Sequence, residues 1–239
     1  MKVDLHGVEL TVENDERFWN EVKQWEPETF EIVKHYGSQE KAFIDIGAWN
    51  GVVSLFAANH FNSVFAVEPD VVAFEKLLRN IELNAMLNIS AQNVAVSDHK
   101  GITILNIADK GDSMSSLIPR HEGFSVTNQV QTVETETFEN LISFLKKPIG
   151  LIKMDIEGGE LLVIPEMIDY LQEHKPPIYI SFHPFWFPEF GKGYEILSLA
   201  EMLFRVYPIV RDAQFNEVTK EQFIEGMNAN SFTYVFDIK

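Results

Sequence analysis

The chain has 239 residues, 46% of them hydrophobic, enough to bury the core of one α/β domain. It carries no cysteine, which excludes disulfides, thiol nucleophiles and cysteine metal sites. Thirty-six acidic residues against nineteen basic ones give a formal charge of -17, a surface that repels phosphate backbones and argues against a nucleic-acid partner.

The N-terminus MKVDLHGVELTVENDERFW has no apolar run of signal-peptide type, and no run elsewhere approaches membrane length. A cytoplasmic protein without a membrane partner is the expectation. Residues 14–36 show helical spacing through Phe18, Val22, Trp25, Phe30 and Val33, interrupted at Pro27. AFIDIG, from Ala42, reads as a short buried strand, VVSLFAANHF as a helix and SVFAVEPD as a second strand. VVAFEKLLRNIELNAM is an amphipathic helix with Phe74, Leu77, Leu78 and Ile81 on one stripe.

NISAQNVAVSD, 88–98, reads as a third strand, with GITILNI as its hairpin partner. Residues 108–125 read as a loop, and TVETETFENLISFL passes from strand to helix. IGLIKMDIEGGE is a fourth buried strand with a polar tip, followed by a helix. KPPIYI stops that helix and feeds the fifth strand, PIYISFH. A helix over about 194–204 and two closing strands, RVYPIVR and SFTYVFDI, complete a terminal hairpin. Strands alternating with helices predict a parallel sheet covered on both faces, whose ligands bind beyond the carboxyl ends of the strands.

Gly47 and Gly51 stand where the first strand stops and a helix starts. Lacking Cβ, they allow a tight turn and close approach of a ligand. Asp45 beside them suits an ammonium and repels a phosphate. Glu68 ends the second strand, where a nucleotide-binding sheet places an acid for ribose hydroxyls. The turn reads G-A-W-N-G, not G-x-G-x-x-G, so a pyrophosphate is disfavoured and S-adenosylmethionine (SAM) favoured.

At the fourth-strand tip, Lys153, Asp155 and Glu157 alternate, and Glu160 begins the next helix. His183 ends the fifth strand, and a histidine of near-neutral pKa is a natural acceptor for a hydroxyl proton. Asp155 and His183 are also two potential ligands for a divalent ion. No Asp-Asn pair follows His183, however, and no metal is expected.

FIDIGAWNG, VFAVEP, NVAVSD, SMSSL and LIKMDIEGGE occur in an order and spacing that resemble the FkbM family of SAM-dependent methyltransferases, over about residues 25 to 183. IKMDIEGGE resembles the family's I-K-x-D-x-E-G-x-E signature most specifically. The resemblance implies a class I, Rossmann-like sheet of seven mostly parallel strands, the last antiparallel. It implies methyl transfer from SAM, usually to a hydroxyl of a sugar or natural product. Residues 1–40 are then a helical cap and 41–239 the methyltransferase domain of one globular unit. Asp45, Gly47, Ala48, Asn50 and Gly51 would cradle the methionine and ribose end, Glu68 and Pro69 the ribose, and Asn93, Val94 and Ala95 the adenine. Asp155 would orient donor or acceptor, with Lys153 beside it and His183 as base.

The chain departs from the family's pattern at Trp49, which replaces the Asn of D-x-G-A-N-x-G, and at Ser181, where many members carry a Glu. Trp25–Thr29 resembles a segment that caps the pocket, and 111–117 one that closes over the cofactor. The aromatic run PFWFPEF, 184–190, suits a sugar-stacking or apolar wall and equally suits core packing. Two rival readings are a nicotinamide-dependent oxidoreductase and a SAM-fold module without catalysis.

Overall fold

The computed structural model describes residues 1–22, 24–107, 111, 113–118, 129–183, 194–228 and 233–239. In chain order the elements are β1 (Lys2–Leu5), β2 (Val8–Thr11), α1 (Glu16–Val22), α2 (Pro27–Tyr36), β3 (Ser38–Ile46), α3 (Val52–Ala57), β4 (Phe61–Val67), α4 (Val71–Leu83), β5 (Ile89–Gln92) and β6 (Ala95–Val96). They continue with β7 (Gly101–Ile107), β8 (Gln129–Glu136), α5 (Phe138–Ile142), β9 (Ile149–Met154), α6 (Glu160–His174), β10 (Ile178–Ser181), α7 (Tyr194–Val206), β11 (Ile209–Asp212), α8 (Lys220–Asn228) and β12 (Thr233–Asp237).

Seven strands form the main sheet in the order β11-β12-β10-β9-β3-β4-β5. β10, β9, β3, β4 and β5 pair in parallel, while β12, the last strand, is antiparallel to both neighbours. The class I methyltransferase architecture expected from the sequence is therefore present. Strand order reverses at β3, because the chain first builds outward through β4 and β5 and then returns to add β9 on β3's other edge. That reversal leaves a crevice beyond the strand tips, the usual ligand position in such sheets.

The side chains alternate between two cores. Ile44, Ile46, Phe65, Val67, Ile152, Met154, Ile178 and Ile180 face one, with residues of α5, α6, α7 and α8. Phe43, Val64, Ala66, Leu151 and Tyr179 face the other, with the N-terminal hairpin and residues of α1 to α4. On this second face, register places Asp45 opposite Lys153 and Lys153 opposite Tyr179, so a polar row crosses an otherwise apolar layer.

Four sequence expectations change. The N-terminal segment is not wholly helical: β1 and β2 form a hairpin whose two turn residues, His6 and Gly7, have φ of 49° and 89°, as type I′ turns require. Residues 88–98 split in two, since β5 joins the main sheet while β6 pairs with β8. GITILNI pairs with β8 across the intervening chain, not with 88–98, in a separate sheet ordered β6-β8-β7. On α4, Leu77 is buried but Leu78 is 45% exposed; the buried positions are Ala73, Leu77 and Asn80. Asn80 is buried for its amide, which donates to Asn50 O at 3.0 Å and accepts from Glu13 N at 3.0 Å, joining the N-terminal segment to the β3–α3 turn. The closing strands do pair, although α8 lies between them.

Candidate active site

The tips of β3, β4 and β9 and the segments after β2 and β5 enclose a half-open cleft with about 920 Å³ of unfilled space, part of it open solvent. Gly47, Ala48, Trp49, Glu68, Pro69, Val94, Ala95, Lys153 and Asp155 line it, together with Trp25, Glu26 and Thr29 of the N-terminal segment and Ser113, Ser115 and Leu117 of the loop after β7. Both segments that the sequence read as capping the pocket therefore reach it. The aromatic run 184–190 lies outside the described residues.

Gly47 is required by its surroundings. Its φ is +81°, and a Cβ there would lie 1.9 Å from the carbonyl oxygen of Asp155. The close approach is thus between two strand tips. The Gly47 and Ala48 amides donate to Val67 O, each at 3.0 Å. Gly51 also has positive φ, +90°, and a Cβ would meet Leu77 at 2.6 Å, so it serves helix packing.

Trp49 adopts φ of 50°, and its amide donates to Glu68 Oε2 at 2.8 Å. Its indole N–H donates to Gly111 O at 2.9 Å, and its ring meets Phe18 and Trp25 edge-on at 5.0 and 6.1 Å. Trp49 thus walls the pocket and tethers the loop.

Glu68 lies at the tip of β4 as expected. Its second oxygen accepts from Asp70 N at 2.8 Å, so each oxygen holds one backbone N–H and keeps a lone pair for another donor. Burial raises its carboxyl to about 7, against the pull of the Asp70 and Trp49 amides. Glu26, which the sequence reading did not single out, is raised to about 7 by burial and by the Asp155 charge. Its carboxylate accepts from Thr29 Oγ1 at 3.3 Å, and that hydroxyl meets Tyr179 OH at 2.6 Å.

Several expected contacts fall elsewhere. Asp45 is fully buried, accepts from Ser54 Oγ at 2.6 Å and pairs with Lys153 at 3.3 Å, so it is occupied within the protein and off the cleft wall. Asn50 is buried behind the turn, and Asn93 points away, donating to the carbonyls of Glu68 and Pro69 at 2.8 and 3.0 Å. Of the third-strand set, Val94 and Ala95 remain on the wall.

Lys153 is held by Asp45, by Asp155 Oδ2 at 3.7 Å and by Gly47 O at 3.2 Å. Burial pulls its ammonium down, but the two carboxylates more than offset this and place it above the ordinary lysine value. It neutralises buried acids, which register made inevitable once Asp45 and Lys153 became cross-strand neighbours.

Glu160, fully buried, accepts from Ile156 N and Gly158 N, each at 3.0 Å, and so fixes the turn after β9. His183 follows β10, the neighbour of β9. Its Nε2 lies 3.7 Å from Asp155 Oδ1 and 3.6 Å from Glu157 Oε1, and its Nδ1 lies 3.8 Å from Glu160 Oε1. Burial lowers this imidazole, but Glu160, Asp155 and Glu157 outweigh it and raise the pKa to about 9. The surrounding carboxylates thus favour the imidazolium, whereas a near-neutral base is expected from the sequence. Asp155, Glu157 and His183 offer ligand atoms within 4.8 Å of one another, a grouping the sequence reading discounted.

The family model of the FkbM methyltransferase domain matches residues 32–216. The chain belongs to the FkbM methyltransferase family. Among solved structures, the FkbM methyltransferase of Methylobacillus flagellatus KT aligns with a TM-score of 0.50 at 17% identity, covering 83% of this FkbM chain and 44% of that one. The chain thus spans less than half the length of that structural relative. An rRNA methylase from Streptococcus thermophilus aligns at 0.48 and 11% identity, covering 88% of this chain and 95% of that one. A Streptococcus mutans protein solved in complex with SAH aligns at 0.49 and 9% identity, covering 87% and 95%. No curated protein matches the FkbM chain in sequence. Among its described residues no helix is long and apolar enough to cross a membrane.

Proposed function

We propose that this chain is a SAM-dependent O-methyltransferase acting on a hydroxyl of a carbohydrate or other natural-product small molecule. The observation that carries the reading is the cleft at the β3 reversal, graded from apolar to acidic. Val94, Val96, Leu105 and Leu117 line it on the β5 side, and Glu26, Lys153 and Asp155 on the β9 side, with Glu68 between. That gradient fits an adenosine attached to a cationic amino-acid tail. The G-A-W-N-G turn spends the Gly47, Ala48 and Trp49 amides on Val67 and Glu68, so they are not offered to a pyrophosphate.

SAM supplies an activated methyl group on a sulfonium. The chain's own residues bind and orient. Glu68 offers its remaining lone pairs to ribose hydroxyls, and Val94 and Ala95 pack on the base. Trp49, Ser113, Ser115 and Leu117 wall one side of the pocket. Asp155, on the cleft wall with Glu26 and Glu68, orients the acceptor hydroxyl and takes its proton as the methyl transfers and SAH leaves. His183 stands behind it and is a positioning residue. Because methyl transfer is an in-line displacement, alignment supplies much of the rate. The surface charge of -17 supports a small-molecule acceptor over a nucleic acid.

The test is transfer of label from methyl-labelled SAM to a panel of sugar and polyketide hydroxyls, with amines alongside. Label in base-stable ethers that falls at least ~10-fold in Asp155→Asn supports the reading. Transfer confined to amines removes the O-methyl assignment. Absence of transfer with SAM bound favours a binding module.

A further inference from the structure

We propose that Asp155, Glu157 and His183 form a site for one divalent cation at the edge of the cleft; the methyltransferase reading is needed only for what the ion does there. Asp155 follows β9 and His183 follows β10, and these strands pair in parallel, so both side chains leave neighbouring tips. Glu157 sits two residues beyond Asp155 in a turn with φ of 53°.

His183 is loosely ion-paired with both carboxylates, at separations longer than close charge-assisted hydrogen bonds. Charge-assisted N–H···O bonds close to about 2.7–2.9 Å. His183 Nε2 stands 3.7 Å from Asp155 Oδ1 and 3.6 Å from Glu157 Oε1. Ligands around an octahedral ion with bonds of about 2.1 Å lie about 3.0 Å apart when adjacent and about 4.2 Å when opposite. The observed separations exceed the adjacent spacing by about 0.6–0.7 Å, so the donors draw in slightly to share an ion.

A second observation lies outside the donor set. The other imidazole nitrogen faces Glu160 at 3.8 Å, and Glu160 is itself buried and pinned by two backbone amides. A carboxylate behind a ligating histidine fixes its ring and tautomer, a regular feature of metal sites. Charge agrees. Glu157 is only 9% exposed, and Glu26, Glu68 and Asp45 add acid nearby, while Lys153 is already engaged by Asp45 and Asp155. Lys153 faces Asp155 Oδ2, which leaves Oδ1 toward the ion. Coordination needs neutral His183, so the ion and the Nε2 proton exclude each other.

Two carboxylates and one imidazole, with no thiol in the chain, suit Mn²⁺ or Mg²⁺ with open positions for water. Asp155 belongs to both the cleft wall and the cluster, so an open position can take the acceptor hydroxyl and lower its pKa.

The test is Mn²⁺ titration of metal-stripped protein followed by electron paramagnetic resonance, on wild type, Glu157→Gln, His183→Gln and the exposed control Glu139→Gln. One Mn²⁺ per chain is expected. Affinity should fall at least ~10-fold in the first two variants and hold in the control. Pulsed spectra of wild type should show an imidazole nitrogen coupling that His183→Gln removes, a readout independent of any loss of fold in the other variants. No stoichiometric Mn²⁺, equal affinity in all four proteins, or no nitrogen coupling overturns the proposal. SAH is titrated into the same stripped protein. SAH without Mn²⁺ binding removes the ion and keeps the methyltransferase reading, whereas Mn²⁺ without SAH binding keeps the site and removes that reading.

Discussion

The two halves of the cleft wall are built differently. On the β3–β4 side the polar groups are held by the protein: Gly47 abuts Asp155 O, Trp49 and Asp70 amides fix Glu68, and Asp45 is shared by Ser54 and Lys153. On the β9–β10 side Asp155, Glu157 and His183 face one another across gaps longer than hydrogen bonds. The first half is a scaffold that fixes shape, and the second is where charge is held ready for something added. Substitutions at the contacts between strand tips and at the buried charge pair should therefore cost stability, and those at Glu68 and at the Asp155–Glu157–His183 cluster should change binding.

The largest effect is expected at Gly47→Ala, where the new Cβ would meet a backbone carbonyl at 1.9 Å in a left-handed conformation. Neither strand tip can yield without breaking the sheet. Chemical denaturation should show a loss above about 4 kcal/mol, or no folded protein. A mild loss would mean that the two tips are not in contact. Lys153→Met comes next, because it leaves Asp45 and Asp155 buried without their ammonium; about 3 kcal/mol at neutral pH is expected by the same measurement.

Glu68 sharpens the comparison through pH. Its carboxyl rises from the ordinary 4.5 to about 7 on folding, so the folded state holds its proton more tightly. That contribution is complete below about pH 4.5 and is lost as pH rises through 7, amounting to as much as roughly 3 kcal/mol. Glu68→Gln, which cannot ionise, should remove this share of the pH dependence in denaturation curves between about pH 5 and pH 8. An unchanged slope would show that Glu68 is ionised throughout. The smallest effect belongs to Leu78→Gln on the exposed side of α4, within about 0.5 kcal/mol. A loss of 2 kcal/mol or more would return Leu78 to the core stripe that the sequence suggested.

The sequence was most legible where local pattern and strand tip coincide. Buried runs such as FIDI and LIKM announce β3 and β9, and the residue directly after each must lie at the carboxyl edge of the sheet. That placed Gly47, Glu68, Asp155 and His183 at the same rim. Partners across strands were not legible, because register is a property of pairs. Nothing local told Asp45 that it would face Lys153, so it was read as a ligand contact when it is a buried counter-charge. The β6-β8-β7 sheet is illegible for the same reason, since its strands pair across 22 to 40 residues of chain. The N-terminal hairpin did leave a signal: alternating burial in VDL and VEL around His-Gly, a two-residue turn written without the usual Asn or Asp.

The central claim, that the cleft at the β3 reversal holds the SAM skeleton, is tested most directly by calorimetric titration of the folded protein with SAH and, separately, with NAD. The account predicts one SAH site of micromolar affinity, weakened in Glu68→Ala, and no heat from NAD. Folded protein that ignores SAH, or that binds NAD in its place, would contradict it.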